Sequence, residues 1–190
     1  MNEIEIIRSQ LTAEQSHAAE VVNACVAVFG ATPGPSVGPS MPDEAAALVR
    51  ESCVSYLVWV LARFEERDQT LSERLAARES ANAPEAAAAR QLGALLSRPG
   101  ASREALARLQ SALAGAEADG ARSRWQEFAR FFNSAWTSRR AALEGAFAEH
   151  LTVADWRAVC AIDADSILDE RRRYARVVAQ LPAGMELRRA

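Results

Sequence analysis

Any chemistry in this chain rests on carboxylates and scarce imidazoles. The residues that interrupt its apolar helical stripes are the acids Asp68 and Asp163, with His17 and Glu66 set beside such stripes. A charged side chain on a buried stripe is costly unless it is ion-paired or ligated. Asp68 falls where the row Leu57, Leu61, Phe64, Leu71, Leu75 expects an apolar residue, and Asp163 does the same between Cys160 and Ile167, with Glu170 further along that helix. His17 flanks another stripe, ahead of Val21, and Arg139 or Arg140 must lie near the seam that runs from Trp136 to Leu143. Three readings stay open. Asp68, Asp163 and the arginines form ion pairs at helix edges. Alternatively, His17, Glu66, Asp68 and Asp163 converge on a ligand or a metal. In the third, the stripes are out of phase by one position. Carboxylate oxygens with one imidazole would suit iron or manganese better than zinc.

The common catalytic signatures do not occur: there is no GxGxxG, P-loop, HExxH, GxSxG or zinc-type Cys/His spacing. Two histidines in the whole chain cannot build a histidine-rich metal site. The Glu-x-x-His motif of ferritin-type bundles is missing as well, His17-x-x-Glu20 being the reverse order and His150 following Glu149 directly. Cys25, Cys53 and Cys160 sit among apolar residues, where a thiol behaves as a small hydrophobe. Trp59, Trp125, Trp136 and Trp156 stand at helical spacing, which reads as core packing.

The elements that must position these groups are helices. Apolar residues recur every three or four positions and alternating β-branched runs are nearly absent. A first helix is predicted from Glu3 to Phe29 on the stripe Ile4, Ile7, Leu11, Ala18, Val21, Cys25, Val28, with a capping-box spacing at Thr12 to Gln15 where it could break. Residues 30–42 hold four prolines and three glycines and read as a long surface connection. Asp43 caps a second helix to about Glu79. A short alanine-rich helix is expected from Pro84 to about Arg98, and another from Ser102 to about Ala118. A long helix then follows the break at Asp119-Gly120 and runs to about Glu149, with Trp125, Phe128, Phe132, Trp136, Leu143 and Phe147 inward. Thr152 and Asp155 form a second capping box, opening a last helix to about Gln180 that turns Val153, Trp156, Cys160, Ile167, Tyr174 and Val178 inward. The expectation is one all-α domain over residues 1–181, an up-down four-helix bundle with short helices in its middle, and a loose tail at 182–190.

With 190 residues, 49% hydrophobic and 25% charged, the chain can bury a core of its own. A net charge of −3 argues against a nucleic-acid binder, and the arginine clusters at 139–140 and 171–173 have acids within a turn or two. All 22 basic residues are arginine, which favours bidentate pairing with carboxylates. The longest apolar run, Val54 to Ala62, is about half of what a spanning helix needs, and the acidic start Met1-Asn2-Glu3 is unlike an export signal. A reduced, cytoplasmic setting without membrane or nucleic-acid partners is expected.

Leu11-Thr-Ala-Glu14 with His17 resembles the opening of the haemerythrin-like family, in which a Leu-x-x-Glu-His stretch supplies the first ligand. Phe64-Glu-Glu-Arg-Asp68 followed by Leu71 is similar in shape to that family's His-x-x-x-Glu segment. The stretch from Ala148 through His150 to Trp156 resembles the one after its third ligand segment. The resemblance implies an up-down bundle. The family's iron-binding histidines are replaced, by Glu65 or Glu66 in the second helix and by Trp136 and Arg139-Arg140 in the third segment. What it implies for this chain is therefore a bundle without the di-iron site, in which only His17 and Asp163 or Asp165 could stand for family ligands.

Three functions follow. The first is a non-enzymatic bundle that binds a partner or a small ligand. The second is a carboxylate-rich iron or manganese protein with an oxygen- or redox-sensing role. The third, a metal-free enzyme working with a carboxylate and an arginine, has only the stripe acids in its favour. The alanine- and leucine-rich segment from Pro84 to Leu113 could bury against a second copy or a protein partner.

Overall fold

A computed structural model describes residues 3–30, 43–79, 101–113, 118–145, 152–160 and 164–181. Every described residue except Thr152 and Leu181 is helical, so the all-α expectation holds. The helices are α1 (Glu3–Gly30), α2 (Asp43–Glu79), α3 (Ala101–Leu113), α4 (Ala118–Gly145), α5 (Val153–Cys160) and α6 (Ala164–Gln180). The connection at 30–42, the alanine-rich helix at 84–98 and the tail at 182–190 lie almost wholly outside the described residues, as does Asp163.

Three expected boundaries move. α1 runs unbroken through Thr12 to Gln15, because a row of buried side chains on both sides, from Ile7 to Cys25, holds it against its neighbours. Asp119-Gly120 falls inside the first turn of α4, where a glycine costs little. The last helix is two elements, and the described residues break between Cys160 and Ala164. Its phase also shifts: Val153 and Val178 are exposed, whereas Glu170 and Val177 are buried.

Paired residues along the chain set the helix directions. Glu14 of α1 meets Arg67 of α2, and Cys25 interacts with Cys53, so α1 and α2 run antiparallel. Glu3 meets Arg157, His17 meets Glu170 and Glu20 meets Tyr174, so α5 and α6 follow the direction of α1. α4 runs with α2, since Phe64 packs on Trp136 and Asp68 on Arg139. The short α3, which packs on α4 and α2, supplies the return between them. Its N-terminus is fixed by Glu65, which accepts the backbone N–H of Arg103 at 3.3 Å and pairs with the Arg103 guanidinium, a carboxylate placed where the helix dipole favours it.

α1 and α2 form the centre of the molecule and divide its interior. On one side Val21, Val22, Leu57, Leu61 and Phe64 join Trp125, Phe128 and Phe132 of α4 in one apolar cluster. An aromatic spine runs down α4, Trp125 edge-on to Phe128 at 6.2 Å and Phe132 stacked on Trp136 at 5.3 Å, and Arg139 covers its end at 5.1 Å from the Trp136 ring. Burial of that surface, at about 25 cal/mol per Å², is the main stabilisation of the fold. On the other side, facing α6, the interior is largely polar, although Val177 of α6 is buried in the apolar cluster.

Within Glu44–Arg74 of α2, an 18-residue window reaches a mean hydropathy of 1.5, long and apolar enough to cross a membrane by length and composition. The run from Val54 to Ala62 understates this stretch, since a longer window tolerates more polar interruptions. Its residues Cys53, Tyr56, Leu57, Val60, Leu61 and Phe64 supply the core described above, the same composition that a helix at the centre of a bundle needs.

Candidate functional site

The polar seam is built from three helices. α1 contributes Glu14, His17 and Glu20 at intervals of three residues, which places them along one flank of the helix. α2 contributes Tyr56, Arg63 and Arg67, and α6 contributes Ser166, Glu170 and Tyr174 at intervals of four. Glu14, Glu20, Arg67 and Glu170 are all buried.

Two anchors organise the seam. Arg67 grips Glu14 with both guanidinium nitrogens, Nη1 donating to Oε2 at 2.5 Å and Nη2 to Oε1 at 3.2 Å, while Arg63 stands 3.6 Å from the same carboxylate. This forked geometry is the strong form of a charge-assisted pair. Glu170 is the second anchor. Its Oε1 accepts the Tyr56 hydroxyl at 2.8 Å and lies 3.0 Å from His17 Nδ1, which carries the hydrogen when its partner is a carboxylate. Glu170 Oε2 is buried without a hydrogen-bond partner. The His17 ring stacks on Tyr174, centroids 3.9 Å apart and planes 11° from parallel, and the Tyr174 hydroxyl donates to Glu20. Arg63 donates to Ser166 and lies 4.7 Å over the Trp59 ring, which Arg173 also approaches at 5.1 Å.

The charges nearly balance. Three carboxylates, Glu14, Glu20 and Glu170, share the seam with two guanidiniums, Arg63 and Arg67, which both meet Glu14, and a proton on His17 would supply a third cation beside Glu170. Burial, and after it the charge of Glu170, pushes the Tyr56 phenol far above its usual value of 10.0, so this hydroxyl stays a donor at every physiological pH. His17 is partly open to solvent and is oriented by a buried carboxylate. That arrangement makes an imidazole a base or a metal ligand, and among the described residues Glu170 is the side chain that hydrogen-bonds to it while the Tyr174 ring stacks on it.

The four residues singled out from the sequence do not converge. His17 enters the seam. Asp68 faces away from it toward α4, where both of its oxygens accept from Arg139 Nε, at 3.0 Å and 2.7 Å. Glu66 is exposed, as it must be, because residues two apart do not share a helix face and Asp68 points inward. Asp163 lies outside the described residues. Sequence reasoning did not place Tyr56, Arg63 and Arg67, nor give Glu14 a role of its own. The signal was present, since Glu14 continues the row Leu11, Ala18, Val21 and Arg67 sits between Phe64 and Leu71.

A haemerythrin-type di-iron centre does not fit these residues. It needs several imidazoles facing open carboxylates, whereas one imidazole is present here and Glu14 and Asp68 are already held by guanidiniums. No group of three or more His, Cys, Asp or Glu side chains among the described residues is arranged to hold a metal ion. Cys25 and Cys53 are buried and free, and burial raises the Cys25 thiol well above its usual range, which makes it a poor nucleophile and ligand. Comparison with family models, with curated proteins and with solved structures finds no match to this chain, so its reading rests on its own residues.

Proposed function

We propose that this protein is a non-enzymatic helical bundle that acts by binding, a cytoplasmic protein whose polar seam holds its helices in register while an outer surface meets a partner or a small ligand. The observation that carries this reading is the pairing of the interior. Two inward carboxylates, Glu14 and Asp68, are each held by an arginine, and a guanidinium in that position takes the lone pairs that a metal or a substrate proton would need. Packing of four long helical segments around one core, with α3 as an added return, is part of the same proposal, as is the possibility of a second copy as partner.

The alternative, a carboxylate-rich iron or manganese site with a redox-sensing role, draws on one observation: His17 Nδ1 is held by Glu170, the arrangement that prepares the other ring nitrogen for a metal. Elemental analysis of the full chain purified from unsupplemented cells separates the two. The binding reading expects less than a tenth of an equivalent of iron or manganese in wild type and in His17→Ala alike. Near-stoichiometric metal that is lost in His17→Ala overturns it in favour of the alternative.

A further inference from the structure

We propose that the groove between α3 and α4 is a binding site for a small amphiphilic monoanion, an apolar chain or ring system carrying one carboxylate, sulfonate or phosphate. The inference rests on the reading of the protein as a binding bundle and gives that reading a site and a ligand class. The groove has a volume of about 740 Å³, within the range of about 300–1,000 Å³ that encloses one small molecule. Its apolar lining comes from Leu109 and Ala105 of α3 and from Phe128 and Phe131 of α4. Its polar groups are Arg108, Arg124, Glu127 and Ser111.

The charge at the rim selects the sign of the ligand. Arg124 is paired with Glu127 one turn on, at 3.1 Å, and both side chains are exposed. Arg108 is exposed and has no ion-pair partner among the described residues. Among the described lining residues two guanidiniums stand against one carboxylate, which leaves one positive charge uncompensated there, on the side chain with the freedom to reach a head group. An anion there gains a charge-assisted hydrogen bond, and its apolar body gains contact with the phenyl rings. A cation would meet Arg108 unshielded. The groove is half open yet concave and of single-molecule size, so the occupant is a free amphiphile and not a bilayer surface.

The test uses the full chain titrated with anilinonaphthalene sulfonate, an aromatic monoanion whose fluorescence reports an apolar site, and then with decanoate, decanol and decylammonium as competitors. The expected result is saturable one-to-one binding that decanoate displaces. Decanol should be weaker by about tenfold, reflecting one lost charge-assisted bond, and decylammonium weaker still. Arg108→Gln should weaken the probe by a similar factor, Arg108→Lys should retain most of the affinity, and Phe131→Glu should abolish binding with the helical content unchanged. Equal competition by all three amphiphiles, or unchanged affinity in Arg108→Gln, overturns the proposal. So does binding of anionic phospholipid vesicles without binding of free decanoate, or a dimer on sedimentation that dissociates in Phe131→Glu. Failure of every amphiphile in a protein that proves metal-free removes this site and leaves the binding reading standing. A metal lost in His17→Ala removes that reading independently of the groove.

Discussion

A carboxylate buried in a helix seam keeps its charge only while a cation or a proton donor stays beside it, which makes the seam asymmetric toward substitution. Removing Arg67 leaves Glu14 buried with the Gln10 amide at 3.3 Å and the longer contact to Arg63, neither of which replaces the forked pair, and Arg67→Met should lower stability by about 3–5 kcal/mol in urea unfolding. Pairing it with Glu14→Gln should recover most of that loss, since the remaining polar atoms are no longer charged. A double-mutant cycle that came out additive would show that the pair is not coupled. Tyr56→Phe removes one of the two groups that meet Glu170 Oε1 and should cost about 1–3 kcal/mol, more than the loss of an exposed hydroxyl. These residues also show what sequence can and cannot reveal. His17 and Asp68 were legible because a polar residue on or beside an apolar row is conspicuous. That Asp68 pairs with an arginine was one of the sequence readings, with Arg139 or Arg140 as the candidates, but the meeting of Glu170 with His17 was not legible, because the two are separated by 153 positions and helical spacing carries no information about contacts at that range.

At the level of elements, the junction before α5 is the most specific local structure. Asp155 Oδ2 accepts the Thr152 backbone N–H at 2.8 Å and its hydroxyl at 2.6 Å, while the Asp155 N–H points back at Thr152 Oγ1 at 3.4 Å. That capping box was readable from Thr152 and Asp155 alone, because both partners lie within one turn. The bond from Arg74 Nε to Asp155 Oδ1 at 2.8 Å was not, and it makes the cap a tether between α5 and the far end of α2. Thr152→Ala should therefore cost about 1 kcal/mol, the usual value of a helix cap. Asp155→Ala should cost more, since it frees Arg74 as well, and Arg74→Ala should show the difference between the two in thermal unfolding. Long helices were legible for a related reason: each carries its periodic row within itself. The division of the last helix into α5 and α6 was not, since no proline or glycine marks it, and the buried Glu170 in place of an apolar residue shifts the inward face of α6 by one position toward Val177.

For the molecule as a whole, the interior has one apolar half and one polar half, and α1 and α2 contribute to both. Two protic groups buried between these helices then couple folding to alkaline pH. Burial raises the Cys25 thiol above its usual 9.0, helped by the neighbouring Cys53, and burial together with Glu170 raises the Tyr56 phenol far above its usual 10.0. In each case the folded state holds the proton more tightly than the unfolded chain does. The contribution is complete below the unfolded pKa and is lost as pH rises from there toward the folded value, because the unfolded state gains by ionising while the folded state does not. Urea unfolding midpoints should accordingly be flat from neutral pH to about pH 8.5 and fall above it, with the fall beginning where a free thiol titrates. Cys25→Ala should blunt the first part of the decline, and Tyr56→Phe the second, after allowance for the loss each causes at neutral pH. The same burial should keep Cys25 unreactive toward iodoacetamide in the native protein, with alkylation appearing at the unfolding transition. Rapid alkylation in the folded state would mean that the α1–α2 interface opens locally, and the alkaline profile would then report that opening instead of global unfolding.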